Sequence, residues 1–151
     1  MIGKVLKEER IRIPLRGKTK EEVIEELVSL IFGDDRKEEI IRKCHEREGR
    51  MSTGVGKGVA LPRYRGKEMK GILASFGTKP EGIDFHALDG KPVHTIFFLA
   101  SGEEEETGYV DALARIARIL NQEDFQERLV KGKNSREVFD LLKKEEEKLW
   151  R

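Results

Sequence analysis

The sequence predicts an α/β fold, a single-domain sandwich over residues 1–151 with a central mixed β-sheet flanked by helices. Two observations predict it. Apolar residues recur every three or four positions near both ends of the chain, as in amphipathic helices. Between those regions, short apolar runs have the spacing of strands. A chain of 151 residues is long enough for one core and requires no second one.

The first elements are a strand and two helices. Arg10 to Leu15 alternates polar and apolar residues, which is typical of a half-buried strand. Thr19 and Glu22 form a capping box that begins a helix, and Gly33 is expected to end it. A second helix is expected from about Asp35 to Glu48, with its apolar face toward the core.

The middle of the chain predicts the sheet. Strand candidates are Ile72 to Phe76, Phe85 to Leu88 and Val93 to Leu99, with an Asp89-Gly90 turn between the last two. The run from Ile96 to Leu99 is apolar without alternation, which predicts a strand covered on both faces.

The last third predicts helices. One carries an inward apolar face of Val110, Leu113, Ala117 and Leu120. A short helix is expected from Glu123 to Val130, and Asn134 with Glu137 is expected to cap a last helix. Its end, Lys143 to Lys148, is interpreted as a solvated face.

Charge is dense but balanced, with 30 Lys+Arg against 29 Asp+Glu. This pattern argues against nucleic-acid binding, which requires a one-sided basic excess. The chain has no signal peptide and no apolar run near the roughly 20 residues of a membrane span, so we expect a cytoplasmic protein without membrane insertion. Abundant Lys and Glu with few amides predicts a heat-loving source.

The lone cysteine, Cys44, cannot form an internal disulfide. With its neighbour His45 it supplies too few ligands for a metal ion, and it falls on the apolar face of a predicted helix. We therefore expect core packing, no metal and no cofactor.

A glycine-rich segment, Gly54-x-Gly56-x-Gly58, precedes Val59. It matches neither the dinucleotide fingerprint nor a P-loop. Two interpretations stay open. The segment is a tight turn that needs positive φ, or its backbone offers unpaired N–H groups to an anion or a partner.

The surrounding residues resemble a known family. Arg47-Glu48 followed by Ser52 to Pro62 resembles the signature R-E, spacer, S-T-G-I-G-x-G-I-A-I-P-H of type 2 enzyme IIA domains. These are the fructose/mannitol and nitrogen-regulatory type of the sugar phosphotransferase system. Residues 83–93 and 109–117 resemble two further segments of that family, so the resemblance covers essentially the whole chain.

The resemblance implies that two active-site histidines are substituted. In this family the last histidine of the signature accepts a phosphoryl group from the phosphocarrier HPr and passes it to a IIB partner. Its position is Arg63 here, and a guanidinium has no lone pair for attack on phosphorus. The second histidine position is Tyr109. We therefore expect a pseudoenzyme and assign no catalytic residue.

The family's phosphate-side arginine is kept as Arg47, and the neighbouring cations predict a cationic pocket. The predicted ligand or anion-binding residues are Arg47, Thr53, Gly54, Gly56, Lys57, Gly58, Arg63 and Arg65.

Three functions follow from the resemblance. The first is a regulatory binding protein that docks on a transporter, a kinase or another regulator, with an anion as a further candidate ligand. The second is a phosphocarrier that uses a displaced histidine, with His45, His86 and His94 as candidates. The third is a sensor of an anion or a phospho-metabolite.

Overall fold

A six-stranded mixed sheet crosses the middle of the protein in a computed structural model that describes residues 1–122 and 124–151. The helices are α1 (Ile2–Val5), α2 (Lys20–Ser29), α3 (Asp34–Arg50), α4 (Glu106–Leu120), α5 (Phe125–Val130) and α6 (Ser135–Leu149). The strands are β1 (Ile11–Arg12), β2 (Gly54–Gly56), β3 (Val59–Ala60), β4 (Arg63–Gly66), β5 (Ile72–Ile83) and β6 (Val93–Gly102).

Strand β6 is the centre of the sheet. The strand order is β1-β5-β6-β3-β2, and β4 also pairs with β6. Both β3 and β4 run parallel to β6, with Val59 opposite Thr95 and Arg63 opposite Leu99. The segment before β3 therefore lies at the amino end of β6, and Arg63 lies toward its carboxyl end.

Two hydrophobic cores lie on the two faces of the sheet. One contains Phe97 and Leu99 of β6 with residues of α1, α4, α5 and α6. The other contains Ile96 and Phe98 with residues of α2 and α3. Successive β6 side chains thus enter opposite cores, and the prediction of a strand covered on both faces is confirmed.

The amino-terminal predictions need two corrections. The strand predicted over Arg10 to Leu15 is only Ile11–Arg12, since Pro14 has no N–H for a ladder. Thr19 caps α2 as predicted, accepting from the Glu22 N–H at 3.1 Å. Gly33, however, does not end that helix but is the N-cap residue of α3.

Phe85 to Leu88 is not a strand but part of the loop between β5 and β6. The carbonyl oxygen of Phe85 accepts from Ser52 Oγ at 2.6 Å and from Lys20 Nζ at 3.3 Å. Side chains therefore take the place of a neighbouring strand at this carbonyl. Strand β5, by contrast, is longer than predicted.

Helix α4 is rotated relative to the prediction. Its buried residues are Tyr109, Ala112, Ile116, Ile119 and Leu120. Val110, predicted to face inward, is 57% exposed. Both sets of residues have helical spacing, so periodicity alone could not choose between them.

The carboxyl-terminal helix begins as predicted, with Asn134 accepting from the Glu137 N–H at 2.9 Å. Its end is solvated only on one side, which carries Lys144, Glu147 and Lys148. Glu146 is buried and accepts from the amino group of Met1 at 3.1 Å and from the Ile2 N–H at 2.9 Å. The short helix α5 begins at Phe125, and its predicted start, Glu123, lies outside the described residues.

Within residues 1–122 and 124–151, none of the helices is long and apolar enough to cross a membrane.

Candidate functional site

The loop that follows α3 is anchored by a buried ion pair. Lys20 Nζ lies 2.6 Å from Glu48 Oε2, and both side chains are buried. Glu48 also accepts from the Thr53 N–H at 3.1 Å and from the Thr53 hydroxyl. Because a buried carboxylate is tolerated only when it is paired and hydrogen-bonded, this network fixes Thr53 against the end of α3.

The next residues of the loop are fixed by short polar contacts and close packing. Ser52 Oγ accepts from the Gly54 N–H at 3.0 Å while it donates to Phe85. A Cβ atom at Gly54 would lie 2.9 Å from the Cβ of Ala87. Only glycine allows the loop to approach Ala87 this closely.

The glycine-rich segment makes a tight turn with positive φ at Gly56 (94°), Lys57 (57°) and Gly58 (80°), as one of the two interpretations predicted. The Lys57 N–H donates to Asp89 Oδ2 at 3.0 Å. Hydrogen bonds from the backbone N–H groups of Lys91 and Lys57 lower the pKa of Asp89.

The other interpretation, unpaired N–H groups offered to an anion, is wrong for two residues of this segment and for Thr53 just before it. The N–H groups of Thr53, Gly54 and Lys57 are taken by Glu48, Ser52 and Asp89. The protein's own oxygen atoms satisfy these three donors, so none of the three is available to an anion.

Three guanidinium groups share a cleft of about 250 Å³ beyond the end of α3. We name it the arginine cleft, and its lining residues are Arg47, Arg50, Met51, Ser52, Thr53 and Arg63. Among the described residues, no acidic side chain and no histidine lines it. Such a surface attracts carboxylate or phosphate groups, which guanidinium binds with paired hydrogen bonds.

Each arginine reaches the arginine cleft from a defined element. Arg47 and Arg50 are exposed in the last turn of α3, where the helix dipole favours cations. Arg63 begins β4, and its Nε donates to the Leu61 carbonyl oxygen at 3.2 Å. The sequence interpretation missed Arg50, although its spacing of three from Arg47 places both on one helix face.

Beneath Arg63 lies Cys44, whose Sγ donates to the Arg63 carbonyl oxygen at 3.7 Å. Burial, and secondarily the charge of Glu48, raises the pKa of this thiol to about 12. The prediction that Cys44 packs in the core is confirmed.

Arg65 and Tyr109 form a separate contact. The Arg65 guanidinium carbon lies 4.8 Å from the centre of the Tyr109 ring, and Nη2 donates to the Glu103 carbonyl oxygen at 2.8 Å. Tyr109 is only 7% exposed. Neither residue lines the arginine cleft.

Lys57 and Gly58 line a different cleft, of about 570 Å³. We name it the lysine cleft, and its lining residues are Lys57, Gly58, Pro80, Lys91, Pro92, His94, Gln126, Glu127, Val130 and Lys131. The expectation that Lys57 shares a pocket with Arg47 and Arg63 is therefore wrong. The β3 and β4 registers are offset by four residues along β6, a separation of roughly 13 Å.

The remaining two histidines share a third cleft. His45 of α3 and His86 of the β5–β6 loop line a space of about 380 Å³, which we name the histidine cleft. It shares Arg50, Met51 and Ser52 with the arginine cleft, so the two adjoin.

The comparison with known families agrees with this architecture. The family model described as "Phosphoenolpyruvate-dependent sugar phosphotransferase system, EIIA 2" matches residues 4–145. The chain belongs to this EIIA 2 family.

Three similar proteins show the range of the family. The fructose-specific EIIABC component of Bacillus subtilis is 29% identical over 148 residues, which are 93% of this chain and 23% of that protein. The chain therefore spans about a quarter of that relative. The nitrogen regulatory protein IIA-Ntr of Neisseria meningitidis is 29% identical with a TM-score of 0.86, covering 93% of this chain and 98% of that structure. The same fold occurs in a chain of the Escherichia coli complex of enzyme IIA and phosphorylated enzyme IIB for mannitol. That chain is 24% identical with a TM-score of 0.73, covering 93% of this chain and 99% of that one.

In this EIIA 2 domain the residues predicted to bind a ligand divide into groups. Arg47, Thr53 and Arg63 come together in the arginine cleft. Gly54 and Gly56 shape the loop, while Gly58 joins Lys57 in the lysine cleft. Arg65 lies against Tyr109 instead.

Proposed function

We propose that the chain is a regulatory EIIA-like binding protein that does not accept a phosphoryl group at position 63. The observation that carries the proposal is the arginine cleft, which is lined by three arginines and, within the described residues, by no histidine. The resemblance to the family signature aligns its phosphate-accepting histidine with Arg63. A guanidinium binds phosphate but offers no lone pair to phosphorus, so binding is the function this cleft supports.

The chemistry of the arginine cleft favours a protein partner in the cytoplasm that presents a carboxylate or phosphoryl group. Arg47 and Arg50 are exposed, and their guanidinium groups can form bidentate contacts. Met51, 72% exposed, lines the same cleft, and Met and Arg are enriched in protein interfaces. The mannitol neighbour, solved as a complex with a phosphorylated enzyme IIB, supports a partner of the phosphotransferase type.

A binding experiment with matched charge reversals tests this proposal. The baits are the wild-type chain, the double variant Arg47→Glu/Arg63→Glu, and the control Lys144→Glu/Lys148→Glu on the exposed face of α6. Each double variant changes the net charge equally. We expect the wild type and the control to retain the same partner, identified by mass spectrometry, and the arginine variant to lose it.

Equal retention by a folded arginine variant would contradict the proposal, because the arginine cleft would then contribute nothing to recognition. A wild-type bait that retains no specific partner would contradict it as well.

A second candidate function is phosphoryl transfer through a displaced histidine. The observation in its favour is that the histidine cleft, with His45 and His86, shares Arg50 with the arginine cleft. A phosphoryl donor attracted by Arg50 would therefore approach an imidazole, a side chain that can act as a nucleophile toward phosphorus. Under this alternative the wild-type chain gains a phosphoryl group, and either His45→Gln or His86→Gln abolishes the gain.

A further inference from the structure

We propose that the lysine cleft is a second ligand site, which binds a small phosphate monoester with an apolar organic group. The site lies at a different level along β6 from the arginine cleft, and the inference goes beyond the proposed function without resting on it. Three features carry it: a net positive charge, an imidazole with one ring nitrogen unpaired among the described residues, and an apolar wall.

The charge of the lysine cleft matches a dianion. Lys57, Lys91 and Lys131 line it together with a single acidic residue, Glu127, which gives a formal charge of +2 among the described lining residues. Asp89 is not among the lining residues, and its carboxylate, which stays charged, accepts from the backbone N–H groups of Lys57 and Lys91. A phosphate monoester is largely dianionic near pH 7, whereas a carboxylate would neutralise only half of this charge.

His94 presents a defined ring nitrogen to the cleft. Its Nδ1 lies 3.1 Å from the Lys79 carbonyl oxygen, which can only accept, so Nδ1 carries the proton. Nε2 forms no hydrogen bond within residues 1–122 and 124–151. Nε2 accepts from a protonated phosphate when the ring is neutral and donates to a phosphate oxygen when the ring is charged.

Two glycines keep the edge of the His94 ring uncovered. A Cβ atom at Gly82 would lie 3.0 Å from the Cε1 atom of the ring, and one at Gly58 would lie 3.5 Å from Cδ2. These two ring atoms flank Nε2. Larger residues at either position would crowd the nitrogen that we assign to the ligand.

Part of the lysine cleft lining is apolar. Pro80, Pro92 and Val130 contribute hydrocarbon surface next to the cationic groups. Small-molecule sites combine such apolar walls with a few polar groups that orient the ligand. Inorganic phosphate would use only the polar part, so the cleft favours an ester with an organic group.

The test is a titration of residues 1–151 with phenyl phosphate. NMR follows the His94 ring and the Gln126 side-chain amide, and calorimetry gives the Kd. We expect saturable binding to the wild type. The variant Lys91→Ala/Lys131→Ala should weaken it about tenfold or more, as expected for lost hydrogen bonds to a charged group. The control Lys144→Ala/Lys148→Ala should bind like the wild type.

A further variant isolates the imidazole. In His94→Asn the side-chain amide can still donate to the Lys79 carbonyl oxygen, but it has no counterpart of Nε2. We expect binding of phenyl phosphate to weaken about fivefold, with the fold unchanged.

Four results would overturn the proposal: no change at His94, an unchanged Kd in the lysine variant, equal binding of inorganic phosphate, or equal binding of phenol. If inorganic phosphate bound as tightly as phenyl phosphate, the apolar wall would contribute nothing to binding. If phenol bound as tightly as phenyl phosphate, the lysines would contribute nothing to binding. None of these outcomes bears on the arginine cleft, so the two proposals fail independently.

Discussion

The two cationic clefts, at different levels along β6, are supported in different ways. The arginine cleft rests on the buried Lys20–Glu48 pair, which holds Thr53 from within the protein. The lysine cleft is shaped by a turn with positive φ and by exposed hydrogen bonds such as Lys57 to Asp89. The glycine-rich segment contributes Lys57 and Gly58 to the lysine cleft. We expect damage to the first support to cost far more stability than damage to the second.

The largest expected effect is at Glu48. Glu48→Gln leaves the Lys20 ammonium buried without a counter-charge, and we expect a loss of about 3–5 kcal/mol in the free energy of unfolding. Urea denaturation measures it. The control is Glu46→Gln, which breaks only the exposed pair with Arg42 and should cost less than about 0.5 kcal/mol. Equal losses in the two variants would show that the buried pair does not support the arginine cleft.

The thiol beneath Arg63 should make this region sensitive to alkali. Because burial raises the pKa of Cys44 from 9.0 to about 12, the unfolded chain releases the thiol proton first as the pH rises. The contribution of the protonated thiol to the free energy of unfolding is fully present below about pH 9. It is lost between about pH 9 and 12, at up to about 1.4 kcal/mol per pH unit. Unfolding of the wild type and of Cys44→Ala, measured from pH 8 to 11, isolates this contribution. Parallel curves would contradict the burial of the thiol.

Two glycine substitutions should have effects of opposite sign. Gly58 has a φ of 80°, so Gly58→Ala should cost about 1–2 kcal/mol. Gly49 lies near the end of α3 with nothing within 4 Å of an added Cβ, so Gly49→Ala should gain about 0.5 kcal/mol. Thermal unfolding of both variants measures the contrast. A gain at Gly58 would mean that the turn does not require glycine there.

The smallest expected effect is a partial gain of activity in the arginine cleft. Arg63→His combined with Tyr109→His should allow slow phosphorylation by phosphoenolpyruvate, enzyme I and HPr, because a neutral imidazole supplies the missing lone pair. Intact-mass measurement detects the product. The single variant Tyr109→His is the control and should remain unmodified. A folded double variant that also remains unmodified would show that the geometry around position 63 no longer supports transfer.

Local signals in the sequence predicted much of the fold. Thr19 and Asn134 cap their helices through side chains that act within three residues, and the run from Ile96 to Leu99 is apolar because both faces of β6 are covered. The rotation of α4 could not be predicted, because its two candidate faces are offset by one position along the helix. Only packing against the sheet decides which of them is buried.

The site was predicted less completely, because its geometry depends on contacts between distant segments. Lys57 and Arg63 are six residues apart, but β3 carries the chain along β6 between them, so proximity in sequence was misleading. The backbone donors of the loop are satisfied by Glu48, Ser52 and Asp89, and no local pattern marks Asp89 as a partner of Lys57. The pairing of Lys20 with Glu48 is equally invisible before the fold is known.

The most direct test of the central claim is the intact mass of the wild-type chain after incubation with phosphoenolpyruvate, enzyme I and HPr. A family member that retains its histidines serves as the positive control in the same mixture. We predict no mass change in this chain, because the resemblance to the family signature aligns its acceptor histidine with Arg63 and, among the described residues, no histidine lines the arginine cleft. A mass gain of one phosphoryl group, lost on acid treatment as expected for a phosphohistidine, would contradict the claim.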